Sequence, residues 1–105
     1  MTKRLDPALR ADQIVEAALG LIEAGAHYSR VTRDEIAEVC GITGTAVQYH
    51  FPTMQQLRRS IMRAAVKRGS LMCIAQGLVD GDAQALKADA TVREAAMWHA
   101  ARQVT

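Results

Sequence analysis

Aromatic side chains are scarce: Tyr28, Tyr49, Phe51 and Trp98 supply 4% of the 105 residues. β-Branched residues never gather into alternating runs, which together with that scarcity excludes an all-β domain. Cysteine is limited to Cys40 and Cys73, far from any C-x-x-C spacing. That usage fits a reduced, cytoplasmic protein rather than a disulfide framework. No apolar stretch approaches the roughly 18 residues of a membrane span, so no membrane partner is expected. The basic N-terminus meets Asp6, Pro7 and Asp12 before any apolar stretch, unlike a secretion signal. No paired carboxylates, Ser-His-Asp set or phosphate-cradling glycine loop is legible, so the expectation is a non-enzyme. His27 and His99 have no partner at ligand spacing, and neither a metal nor a cofactor is expected.

What remains is a chain rich enough to build a core. Half the residues are hydrophobic, mostly Ala, Leu, Ile and Val. The formal net charge is only +2, but its distribution is uneven. Residues 1–68 carry ten basic and seven acidic groups, whereas residues 69–105 carry three and four. A polyanion is therefore better sought in the first two thirds.

The periodicity predicts an all-α protein. Asp6-Pro7 reads as an N-cap followed by proline at the first helical position, where a missing N–H costs nothing. Leu9, Ile14, Ala17, Ala18, Leu21 and Ile22 then recur at helical spacing, with Gly25 as the expected C-cap. Thr32-Arg33-Asp34-Glu35 is a capping box, and Val31 with Ile36 forms a hydrophobic staple. The helix so begun stops at Gly41 after about two turns. Gly41-Ile42-Thr43 makes a tight turn, with Thr43 capping a second short helix to about Tyr49. Phe51-Pro52-Thr53 ends that helix, and Thr53 with Gln56 is a second capping box. The fourth helix buries Leu57, Ile61, Ala64 and Ala65, while Arg59, Arg63 and Lys67 form a solvated stripe. A bend near Gly69-Ser70, a turn at Asp80-Gly81-Asp82 and a third capping box at Thr91 and Glu94 are expected beyond it.

A capped two-turn helix, a glycine turn and a second short helix have the outline of a helix-turn-helix, whose second member lies in the DNA major groove. The second helix, about 43–49, presents Thr43, Gly44, Thr45, Gln48, Tyr49 and His50. Gly44 and Thr45 allow close backbone approach, and Gln48 can pair bidentately with adenine. His50 either touches DNA or helps to close the turn. Thr32 and Arg33 at the start of the preceding helix, Thr53, and Arg4 in the N-terminal arm complete the candidate DNA-contacting set.

Residues 10–57 resemble the DNA-binding domain of the tetracycline-repressor (TetR) family. The resemblance is carried by Ile14-Val15-Glu16-Ala17-Ala18-Leu19-Gly20-Leu21-Ile22 with Gly25, and by Val31-Thr32 with Glu35-Ile36-Ala37. Gly41-Ile42-Thr43, Tyr49-His50-Phe51-Pro52 and Leu57 continue it in register. It implies a dimeric repressor that reads a palindromic operator in double-stranded DNA with its third helix. Two positions depart from the family pattern. Gln48 stands where the family places a phosphate-contacting tyrosine, and Met54 where it favours a lysine. Those contacts are then absent or moved to Tyr49, Thr53 or Arg58.

The resemblance divides the chain into a DNA-binding domain at 1–68 and a short helical extension at 69–105. Family members carry several more helices that enclose a ligand pocket, so a small-molecule effector is not expected here. Leu86, Val92, Ala96, Trp98 and Val104 are expected at a dimer seam. The alternatives are packing within one protomer, a shortened ligand pocket, or a surface for another protein. On the last, the same fold serves as an antirepressor or a partner that masks another regulator.

Overall fold

The computed structural model describes residues 6–103. Its seven helices are α1 (Pro7–Glu23), α2 (Arg33–Cys40), α3 (Gly44–His50), α4 (Met54–Arg68), α5 (Leu71–Asp80), α6 (Ala83–Leu86) and α7 (Ala90–Gln103). There is no strand among the described residues, and the all-α expectation holds. None of these helices is long and apolar enough to cross a membrane.

Local chemistry sets the boundaries of the first four helices. The Asp6 carboxylate accepts the Ala8 N–H at 2.8 Å, and Pro7 opens α1. The capping box on α2 is complete: the Thr32 hydroxyl accepts the Glu35 N–H, and Glu35 Oε1 accepts the Thr32 N–H at 3.0 Å. Val31 and Ile36, the two halves of the staple, are both buried. Gly41 closes α2 at φ 69°, a left-handed conformation that any side chain would oppose. That geometry lets the Ile42 N–H reach the Ala37 carbonyl at 3.0 Å and returns the chain at once into α3. Thr43 caps α3 and Thr53 caps α4, the latter in the expected box with Gln56. At the end of α1 the capping residue is Ala24, with the expected Gly25 one place beyond it.

The second half departs further from expectation. Ser70 precedes α5 without capping it, and its hydroxyl donates instead to Glu23 at 3.5 Å. Asp82 caps α6, accepting the N–H groups of Gln84 and Ala85. The third capping box does not form. The Arg93 N–H already bonds to the Asp89 carbonyl at 2.9 Å, so α7 begins at Ala90 and Thr91 lies inside it.

One apolar core serves all the helices. Ile14 and Ile22 of α1, Ile36 of α2, Val47 of α3, Leu57, Ile61 and Met62 of α4, and Ile74 of α5 are completely buried in it. Burial of each large aliphatic side chain contributes about 1.5–3 kcal/mol. Ala85 of α6 and Ala96 of α7 belong to the same cluster, so the core runs without interruption across residue 68. Within this core Gly77 is the glycine most tightly packed. A Cβ there would lie 2.5 Å from Met62 Cε and 2.8 Å from Ala85 Cβ.

Candidate nucleic-acid interface

The α2–α3 pair and the start of α4 enclose an open groove of about 550 Å³. Val47 turns α3 inward, buried in the core, and leaves Thr45, Gln48 and Tyr49 exposed on the outer side. Gly44, Thr45 and Gln48 line the groove from α3, with Thr32, Arg33 and Asp34 from α2 and Met54 and Arg58 from α4. Arg30, in the loop before α2, completes the rim. Three arginines therefore line a shallow cleft beside a short polar helix.

The candidate residues differ in what they have left to offer a ligand. The Thr43 and Thr53 hydroxyls accept capping N–H groups, which leaves their own hydrogens free to donate. Thr32 is spent in both directions, because its hydroxyl also donates to Glu35 Oε1 at 3.0 Å. Arg33, expected at a phosphate, gives one guanidinium nitrogen to the Pro52 carbonyl at 3.2 Å. It thereby ties the start of α2 to the turn before α4. Arg58 makes no hydrogen bond or ion pair among the described residues, and its Nε is buried without a partner. Tyr49 is 79% exposed, with the half-buried His50 ring packed edge-on at 5.2 Å. Arg4 lies outside the described residues.

Helix termini add to the electrostatics. The first turn of α2 carries Asp34 and Glu35, whose negative charges oppose an anion at that terminus. The first turn of α4 carries no acid. A phosphate is therefore better served at α4, beside Arg58, than at the α2 position assigned to Arg33. Sequence reasoning passed over Arg30 and named Arg58 only as a substitute contact. The signal that separates Arg58 from the solvated stripe is its place one turn into α4, on the side facing α3.

Both cysteines are free thiols, Cys73 buried and Cys40 half-buried. Burial pushes Cys73 up to about 12, with Asp82 and Glu23 adding to the rise. Burial also raises Cys40, against a smaller opposing pull from Arg10. Among the described residues no cluster of His, Cys, Asp and Glu could hold a metal.

The expected dimer seam splits in two. Leu86 and Trp98 are 49% and 63% exposed, joined by Met97 at 48%. Ala96 is fully buried in the core of its own protomer, and Val92 packs against that core. Those two face inward because the α5–α7 contact takes the small-residue side of α7. Val104 lies outside the described residues. Compared with protein-family profiles, curated proteins and solved structures, the chain matches none. The likeness to the TetR family rests on the residues quoted above.

Proposed function

We propose that the chain is a sequence-specific DNA-binding repressor of the TetR type, acting in the cytoplasm. In this reading α3 enters the major groove, and two copies related by a twofold axis cover a palindromic operator. Half-sites about 34 Å apart match such a dimer. One observation carries the reading: the exposed polar face of α3 and the unpartnered Arg58 open on the same groove. Gln48 reads a base edge there, while Arg58, the Thr53 hydroxyl and the first turn of α4 hold phosphates. Leu86 and Trp98 are the residues offered to the second copy.

The test is selection of bound duplexes from a random pool, followed by salt titration on the selected site. Gln48→Ala is expected to change the preferred base with the salt slope unaltered. Arg58→Ala weakens binding to every sequence and lowers the slope by about one. Failure of the protein to retain any duplex at about 50 mM salt rejects the proposal.

A second reading has its own support in the commitment of Arg33 to Pro52 and the exposure of Trp98 and Met97. Here the fold is an antirepressor-like module whose C-terminal face binds another regulator. A stoichiometric protein partner, with no DNA retained, selects this reading over the first.

A further inference from the structure

Asp34 stands out in the groove as the one acidic group among its arginines. It is the second residue of α2, and its Oδ1 reaches across to the first helical residue of α3. A Cβ on Gly44 would lie 2.5 Å from that oxygen, so the carboxylate rests against backbone that only a glycine leaves bare. Arg30, Arg33 and Arg58 line the same groove, yet Asp34 forms no ion pair and accepts no hydrogen bond among the described residues. It is not needed as a cap either, because Thr32 and Glu35 fill the capping box of α2. Asp34 is an exposed carboxylate that shares the groove with three arginines and pairs with none of them, so it does not serve to neutralise them.

We infer that Asp34 is a specificity-determining residue of the α3 surface, accepting a hydrogen bond from the exocyclic amino group of a cytosine. The inference rests on the DNA-reading proposal and deepens it. An ionised carboxylate only accepts. In the major groove the donors are the amino groups of cytosine and adenine, and the acceptors of guanine repel it. Gln48, on the α3 side of the groove, has both a donor and an acceptor and suits adenine, whereas a carboxylate cannot serve adenine N7 and suits the lone amino donor of cytosine. The carboxylate also repels phosphate, so it lowers affinity for DNA in general while raising discrimination.

The test compares selected sites for the wild type, Asp34→Asn and Gly44→Ala, with thermal unfolding measured on each. Asp34→Asn is expected to lose a preference of about tenfold at one base pair of each half-site. The same variant gains roughly threefold on random-sequence duplex at low salt, because a repulsive charge is gone. Gly44→Ala pushes the carboxylate aside without removing its charge, so it erodes the preference at that same base pair. The base pair read by Gln48 is unaffected in both. An unchanged Asp34→Asn profile, from a wild type that does select a site, overturns the role of Asp34 alone. A wild type that selects no site overturns the DNA-reading proposal, and this inference falls with it.

Discussion

Replacing Gly77 with alanine sets two effects of known size against each other. Alanine in a helix interior is favoured over glycine by about 1 kcal/mol. The new methyl, however, would stand 2.5 Å from Met62 Cε, 3.1 Å from Met62 Sδ and 2.8 Å from Ala85 Cβ. Comfortable carbon–carbon separations are about 3.5–4.0 Å. The methionine tip can rotate away, but Ala85 Cβ is fixed to the backbone of α6. Relief there means moving α6, whose Ala85 is fully buried in the core, by roughly 1 Å, an overpacking cost of about 1–3 kcal/mol. The clash wins, and the net expectation is a loss of about 1 kcal/mol. For a domain of this size that corresponds to a Tm lower by roughly 4–8 °C. Gly20 in α1 provides the control, since a Cβ there meets nothing within 4 Å. Gly20→Ala should therefore stabilise by about 0.5–1 kcal/mol. Calorimetric unfolding of the two variants checks both signs. A Tm that rises in Gly77→Ala as it does in Gly20→Ala would refute the reasoning, because α6 would then yield freely. Adding Ala85→Gly to the Gly77 variant should recover most of the loss non-additively.

Two further outcomes follow from buried polar chemistry. Burial, reinforced by Asp82 and Asp80, raises Tyr28 from 10.0 to about 12, and burial raises Cys73 from 9.0 to about 12. Both groups stay protonated in the fold while the unfolded chain ionises. Their contribution is complete below pH 9 and is lost as pH climbs toward 12, at about 1.4 kcal/mol per pH unit for each proton. Urea unfolding at pH 8 and at pH 10.5 should show the fall, and equal stability at both would contradict it. Gln76 bonds twice to the loop between α1 and α2, accepting the Tyr28 N–H at 2.9 Å and donating to the Ala26 carbonyl at 3.0 Å. Gln76→Ala should cost about 1–3 kcal/mol and speed amide exchange at Tyr28; exchange at the wild-type rate would count against the clamp.

The parts of this fold that were legible in the sequence are those that depend on neighbours three or four residues apart. Thr32 with Glu35 and Thr53 with Gln56 fall into capping boxes because each needs only one helical turn to find its partner. The same spacing misleads at Thr91 and Glu94, where an earlier start to α7 places the threonine inside the helix. Contacts between distant residues left no such trace. Nothing near Arg33 signals that Pro52, nineteen residues on, will take one of its donors. Asp34 reads as an ordinary first-turn acid until the fold sets it against Gly44. In α7 the difficulty is compositional, because alanine marks an inward face as weakly as an outward one. Ala96 and Trp98 entered the same expected seam, yet one is wholly buried and the other 63% exposed.

The boundary at residue 68 separates roles in the proposal more than it separates folding units. Met62 and Ala65 of α4 are fully buried, and Gly77 is open at the point where Met62 crosses α5. From the other side Gln76 holds the backbone of residues 26–28, a few residues before the capping box of α2. His27 extends that contact toward Asp80, 3.9 Å from its Nε2. The loop that leads into α2 is thus held by α5, while the α2–α3 turn itself is fixed locally by Gly41. The α2–α3 pair itself packs on α1, so α5 acts on its entry loop and α1 on the pair. In the proposed dimer, joined through Leu86 of α6 and Trp98 of α7, the path from the seam to each α3 helix runs through α5 and the core that it shares with α4 and α1.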